Sequence, residues 1–415
     1  MKSAFKKFLT LVLILTVTFS TSSCYSSYDN EWGNTYNSDY YDSSWDETTS
    51  DTYSENNYSY YNHSDFVSSY SAPSSSYSSS VVSSSIEEHA YPKVYNLVEL
   101  RDLLKENFDK NNLSVNFEFL GSESFDASEI ARMTPACHVR YVKKEKKYTL
   151  TMTQCPGDRI VDAYFSGDSS KLNKNEIKAL DKAIEIVNQA KASSTDQIDL
   201  ELYLHDYICK TVTYDDHTRY IEDPMNPPRN LTAVGGLLDG RANCQGYSDT
   251  FYVLASIAGF KVDRLSVNTP NDHHTVSTIY LGGQWLIVDT TFDDSEAYNN
   301  ETISYRFFNA SKDVITEYSW PEHYETNQIA TETTEYFYYR CYNYCYDNAA
   351  EMATDLVQKY EDSTTQLHGI LESEETLEQV IAALNDAFIA SGRSVPSYHY
   401  RFRYDGNFYY YQFLF

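Results

Sequence analysis

Between Lys7 and Lys93 the chain contains no lysine or arginine, and from Tyr25 to about Ala90 it is dominated by Ser, Tyr, Asn and Asp, with almost no aliphatic residues. A stretch so poor in aliphatic residues cannot bury enough apolar surface to offset the entropy of ordering it. Residues 24–90 are therefore expected to be a disordered, acidic linker that holds the folded part away from a membrane or wall. Folded structure is confined to the last ~320 residues, enough for a real core and two or three modules. The formal charge of −28 argues against nucleic acid as a partner, because phosphate binding needs a basic patch.

Ahead of the linker, Lys2, Lys6 and Lys7 precede an apolar and hydroxyl run from Phe8 to Phe19 and then small residues up to Cys24. This order reads as a secretory signal over 1–23, too short in its apolar part to span a membrane comfortably. Small residues before a cysteine also resemble the bacterial lipobox, in which cleavage leaves Cys24 as the lipidated N-terminus. Thr21 replaces the usual leucine of that pattern, so ordinary signal cleavage remains the alternative. Both readings place the mature chain outside the cytoplasm, either secreted or lipid-anchored on the extracellular face of the membrane.

The strongest periodicity lies in the middle of the chain. Ile177, Leu180, Ile184 and Val187 recur at helical spacing. A second helix is expected from Asp196, with Ile198, Leu202, His205 and Cys209 on one stripe, which makes Cys209 a core thiol. A third follows Cys244, where Tyr247, Phe251, Leu254, Ala255 and Ala258 share a face and Gly259 stands at the C-cap. Cys244 then heads its helix, where unsatisfied N–H groups and the macrodipole favour a thiolate. A structural cysteine can also stand near a helix start, so the position alone is not specific.

The segment 273–294, HHTVSTIYLGGQWLIVDTTFDD, adds the chemistry. Gly282-Gly283 reads as a two-residue hairpin turn, which pairs Leu281 with Gln284 and Tyr280 with Trp285 and brings Val276 opposite Asp289. Side chains alternate along a strand, so His274 shares a face with Asp289 while His273 points the other way. A carboxylate beside an imidazole sets its tautomer and orientation. Cys244 as nucleophile, His274 as base and Asp289 as orienter make a complete acyl-transfer set.

The order of these motifs resembles the transglutaminase-like superfamily. It runs from Tyr214-Asp215 through Gly240-Arg241-Ala242-Asn243-Cys244-Gln245-Gly246-Tyr247 and His274 to Trp285-Leu286-Ile287-Val288-Asp289-Thr290-Thr291-Phe292-Asp293-Asp294. The resemblance covers roughly residues 170–300 and implies an α+β, papain-like core in which a cysteine heads a helix packed on an antiparallel sheet carrying histidine and aspartate. By that match Cys244, His274 and Asp289 are catalytic, and Tyr214 is a candidate oxyanion donor beside the Cys244 backbone N–H. Two departures stand out: Thr275, Val276 and Ser277 follow the histidine where the family has a small residue, Trp and Asn, and Phe292 replaces the usual Trp.

The implied activity is thiolate attack on an amide or peptide carbonyl and transfer of the acyl group to water or to an amine. This covers peptidase, amidase and protein cross-linking chemistry, with protein or peptide substrates, cell-wall peptide included. No cofactor is implied and no metal site, since the acidic linker lacks calcium-loop spacing with a turn glycine. The alternative is a cell-surface binding or adhesion protein that keeps the fold without turnover.

The catalytic core is assigned to 171–325, with small α+β modules at 91–170 and 326–415. Leu97, Leu100, Leu104 and Phe108 form a helical stripe before a strand near Val115; Leu377, Val380, Leu384 and Phe388, with a strand near Val395, repeat this 280 residues later. Chance similarity between amphipathic helices is the competing explanation. A hairpin turn is expected at Asp405-Gly406, and the aromatic run 408–413 reads as sheet core. In the first module, a hairpin bent at Glu145-Lys146-Lys147 would pair Lys144 with Tyr148 and bring Cys137 opposite Cys155, a disulfide candidate in an oxidising compartment.

Overall fold

The computed structural model describes residues 91–415 except 111, 126–129, 131–132, 134–136, 218–225, 270–272, 295–301, 316–317, 319–328 and 406, and only the backbone of 109, 137–140 and 273. The signal segment, Cys24 and the 24–90 linker lie outside the described residues.

The first module is a four-stranded sheet with a helix on it. Its elements are β1 (Lys93–Val94), α1 (Leu97–Asp109), β2 (Ser114–Phe119), β3 (Cys137–Lys144) and β4 (Lys147–Gln154), in the order β1-β2-β4-β3. Asn96 caps α1 by accepting from Glu99 N at 2.8 Å. Leu100 and Leu104 then bury against Val115, Phe117, Leu150 and Met152.

The β3–β4 hairpin differs from the expected one. Lys144 pairs with Lys147 across a two-residue turn in which Glu145 has φ 59°, so Cys137 lies opposite Gln154, not Cys155. Hydrophobic pairing explains the choice. The observed register sets Val139 against Met152 and Tyr141 against Leu150, whereas a three-residue loop would have set Arg140 against Met152. Val142, which that loop would have placed opposite Leu150, is instead 66% exposed. Cys155 is buried, carries no disulfide, and stands at the N-cap of α2 (Pro156–Ser166).

Two longer helices follow, α3 (Lys174–Ser193) and α4 (Gln197–Thr211). Asn173 and Glu176 form a capping box on α3, and Asp196 caps α4 as expected. The apolar stripe located α3 but not its innermost face. Ile177 is exposed, while Ala179, Ala183 and Ala190 are fully buried beside Ile186 and Val187. Small side chains there allow close approach of α5 (Cys244–Ala258), which is reached through the parallel pair β5 (Thr213–Tyr214) and β6 (Arg241–Ala242).

A three-stranded antiparallel sheet, β7 (Val262–Asn268), β8 (His273–Leu281) and β9 (Gln284–Val288), completes the core. The Gly282-Gly283 turn has φ 55° and 87°, and it pairs Leu281 with Gln284 and Tyr280 with Trp285 as expected. Ile279, Leu281, Leu286 and Val288 join the helical core, whereas Val267, Val276 and Ile287 join a second cluster with Phe307, Phe308 and Tyr318. The sheet therefore has two covered faces.

After α6 (Thr290–Asp293) and α7 (Tyr338–Cys341) comes a second four-stranded sheet. It contains β10 (Cys345–Tyr346), α8 (Ala349–Lys359), β11 (Gln366–Leu371), α9 (Leu377–Ala390), β12 (His399–Tyr404) and β13 (Tyr409–Leu414), in the order β10-β11-β13-β12. Its topology repeats that of the first sheet: a parallel β–α–β pair, then an antiparallel hairpin whose second strand sits inside. The expected spacing of 280 is wrong, however. Lys93 and Cys345, Leu97 and Ala349, and Ser114 and Gln366 begin equivalent elements 252 residues apart, and the hairpins starting at Cys137 and His399 are 262 apart. The partner of α1 is α8, so the similar stripes on α1 and α9 belong to non-equivalent helices. Residues Phe408, Tyr410, Tyr411 and Phe413 are core, as expected.

Candidate active site

The cysteine motif is explained by packing at the start of α5. Asn243 caps the helix by accepting from Gly246 N at 3.1 Å. A Cβ on Gly246 would lie 2.4 Å from Asn230 O and 2.8 Å from Ala242 Cβ, so only glycine fits. The fully buried Tyr247 places its hydroxyl 2.6 Å from Val212 O, at the end of α4, and on Asp294 Oδ2. Cys244 is thereby presented, half-buried, at the first helical position.

Helix α5 is pinned along β8. Ser248 Oγ donates to Thr275 O at 2.8 Å, and Ser277 Oγ donates to Ser248 O at 3.2 Å. His274, one residue before Thr275, hydrogen-bonds Cys244, while its Nε2 lies 2.7 Å from Asp289 Oδ2. Burial disfavours the imidazolium, but the charge and hydrogen bond of Asp289, reinforced by Cys244, outweigh it and push His274 up to about 10.

Asp289 does two jobs. Its Oδ1 caps α6 by accepting from Thr291 N at 3.0 Å and Phe292 N at 3.2 Å. Its Oδ2 accepts from His274 and also from the hydroxyl of Tyr318. Phe292 stacks on the imidazole, and Tyr318 lies against its other neighbours with ring centroids 5.8 Å from His274 and 6.1 Å from Phe292. Burial favours the neutral thiol at three other cysteines: Cys209 is pushed up to about 11, and Cys341 and Cys345 to about 12.

Cys244, His274 and Asp289 thus lie together in the structure. Tyr214 lies opposite Ala242 in the neighbouring strand, 40% exposed, with its ring 6.4 Å from that of Tyr247. The side chain of His273 is outside the described residues, as are Cys24 and the side chain of Cys137. Tyr318 was not foreseen; no motif marks a tyrosine that reaches Asp289 from 29 residues away. Asn243 could have been found, since asparagine directly before a helix is a strong cap signal.

A cysteine heading a helix that packs on an antiparallel sheet bearing histidine and aspartate defines a papain-like α+β core. Residues 184–290, from within α3 to just past Asp289, match the family model of the transglutaminase-like superfamily, and this part of the chain belongs to that superfamily. No curated protein sequence matches the chain. Similar solved structures include a TGase, at 13% identity over 48% of this chain and 59% of that one, TM-score 0.25. The periplasmic domain of TgpA from Pseudomonas aeruginosa is 12% identical over 37% of this chain and 58% of that one, TM-score 0.23. Calcium-bound LapG from Legionella pneumophila is 11% identical over 44% and 98%, TM-score 0.26. The chain spans less than two thirds of the TGase and TgpA structures.

Proposed function

We propose that the chain is a thiol-dependent acyl-transfer enzyme acting on amide or peptide bonds, with Cys244 as nucleophile, His274 as proton carrier and Asp289 as its orienting partner. The observation that supports this reading best is the His274 imidazole held between Asp289, at 2.7 Å, and Cys244 at the start of α5. The Cys244 thiol gives its proton to His274 as its sulfur attacks the substrate carbonyl, and the oxyanion is received by the Cys244 N–H with Tyr214 as a second donor. His274 gives its proton to the departing amine, leaving a thioester on Cys244. Water or a second amine then attacks the thioester and passes a proton to His274; the acyl group leaves with the acceptor, the C–S bond breaks, and the departing Cys244 thiolate takes that proton back from His274, which regenerates the thiol–imidazole pair.

The substrate class is protein or peptide, cell-wall peptide included, and the site of action is outside the cytoplasm. The signal-like run ending at Cys24 supports that location, with lipid attachment at Cys24 as the anchor. Among the described residues no helix is long and apolar enough to cross a membrane. A fatty-acid probe that labels the wild type but not Cys24→Ser would test the anchor.

The activity is tested by treating the protein with iodoacetamide at pH 7 and mapping the labelled cysteine. Cys244 should react at least tenfold faster than Cys209, Cys341 or Cys345, whose thiols burial holds neutral. His274→Ala should abolish that preference. Equal labelling of Cys244 and Cys341 would favour a fold retained for binding alone.

A further inference from the structure

Behind the candidate site lies a second cysteine–histidine–aspartate group that no substrate can reach. His205 in α4 is fully buried, with Nδ1 3.3 Å from Asp206 Oδ1 and Nε2 3.2 Å from Asp293 Oδ2. Cys209, one turn later, has its Sγ 3.9 Å from the same Nε2 and 3.5 Å from Thr290 O. Asp293 is fully buried and Cys209 nearly so. With solvent excluded and the thiol held neutral, this group cannot serve as a nucleophile; what matters is what Asp293 holds in place.

Asp293 ends α6, the short helix that Asp289 caps. Its two carboxylate oxygens accept from Phe307 N at 3.0 and 3.1 Å, while Asp289 N donates to Phe307 O at 3.2 Å. Asp293 N also donates to Asp289 O at 3.0 Å. The Phe307 ring packs at 5.6 Å from Phe292 and 6.0 Å from Tyr318, the two rings around His274. One carboxylate thus fixes the peptide from which Asp289 and its aromatic surroundings hang.

Asp289 and Asp293 are both buried within four residues, and like charges so placed disfavour each other. Burial pushes the Asp293 carboxyl up, and the His205 imidazole and Phe307 N–H oppose that. Burial also opposes a charged His205, but Cys209, Asp206 and Asp293 together hold it well above the ordinary histidine range. The other groups facing it are Glu201 on α4 and the ring of Tyr305, 5.7 Å away, whose hydroxyl donates to Asp206 at 3.1 Å. Lys210 pairs with Asp206 at 2.7 Å, the Phe308 ring lies edge-on at 5.3 Å, and Asp294 acts on Cys209.

We propose that His205 is a positioning residue: it keeps Asp293 ionised and bonded to the Phe307 backbone, and so keeps Asp289 aligned with His274. Its effect on activity rests on the functional reading above, whereas the alignment it controls can be observed without turnover.

The test uses the full-length protein labelled with nitrogen-15 at histidine. The Nε2–H proton of His274, assigned by its loss in His274→Gln, reports the bond to Asp289. In His205→Gln this resonance should shift or exchange away, and iodoacetamide labelling of Cys244 at pH 7 should slow about tenfold, the loss expected of a misplaced orienting group. In the double variant His205→Gln/Asp293→Asn, which removes both charges, the resonance and the labelling rate should return. An unchanged resonance in His205→Gln, or a natively folded double variant in which it stays lost, overturns the proposal. If His205→Gln does not fold, the double variant decides alone by the same criterion. A wild-type Cys244 no more reactive than Cys341 would sink the proposed activity and still leave the His274 resonance to judge His205.

Discussion

The rings of His274 and Phe292 lie face to face, with centroids 4.4 Å apart and planes 12° from parallel. Phe292 is 43% exposed, so it forms a cover between the buried imidazole and solvent. Aromatic contacts of this kind contribute about 0.5–1.5 kcal/mol. Phe292→Ala should therefore slow Cys244 alkylation roughly twofold to tenfold, and Phe292→Trp should restore it. A Phe292→Ala protein that labels at the wild-type rate across pH 6 to 9 would show that the cover is irrelevant.

Tyr318 shares Asp289 Oδ2 with His274. Removing its hydroxyl leaves that oxygen a stronger acceptor for His274, which favours the imidazolium further. In Tyr318→Phe the pH at which His274 loses its proton, followed by NMR titration, should rise above that of the wild type. The fold should also lose about 1.5–3 kcal/mol, the usual value of a hydrogen bond to a charged group. A downward shift would mean that Tyr318 supports the imidazolium in some other way.

Glu201 should give the protein an alkaline weakness. Fully buried in α4, it accepts from Asn309 Nδ2 at 3.0 Å, and burial pushes its pKa from 4.5 to about 8 against the opposing effects of Asn309 and His205. A carboxyl that binds its proton more tightly folded than unfolded contributes stability in full below pH 4.5 and loses it as pH climbs through 8. Urea melts of the wild type should show this decline, and Glu201→Gln, which has no proton to lose, should flatten it. Parallel curves for the two proteins would contradict the assignment.

Arg264 joins three elements. Its Nη2 lies 2.5 Å from Asp158 Oδ2 on α2, its Nη1 pairs with Asp249 on α5, and its guanidinium sits 4.0 Å from the Tyr252 ring centroid. Arg264→Met would leave two buried carboxylates without their cation, at a cost of about 3–5 kcal/mol. Burial already pushes Asp158 up to about 7 with Arg264 present, and protonation relieves an unpaired carboxylate. The destabilisation measured by urea titration should accordingly be larger at pH 8 than at pH 5.5.

The candidate triad was legible because each part rests on a local rule. A two-residue Gly-Gly turn determines the pairing of β8 with β9, and strand alternation then puts His274 and Asp289 on one face. Cys244 heads a helix whose apolar stripe and terminal Gly259 are contiguous in the chain. The β3–β4 bend offered no such marker. Both a two-residue and a three-residue loop fit Glu145-Lys146-Lys147, and the choice depended on which strand residues face one another across the sheet. The similar stripes of α1 and α9 misled for a related reason: amphipathic spacing records that a helix has a buried face, not which sheet it covers.

From the chain alone came the elements and chemistry set by neighbours in sequence: the helix start at Asp196 and the helix end at Gly259, the Gly282-Gly283 hairpin, and the cysteine, histidine and aspartate on their separate elements. Tertiary structure decided which groups surround them. Tyr318 reaches Asp289 across 29 residues and His205 reaches Asp293 across 88, contacts that no periodicity encodes. The physical reason is that burial removes water from every buried polar group at once. Asp289, Asp293, Glu201 and Arg264 then depend on whatever polar groups folding brings beside them.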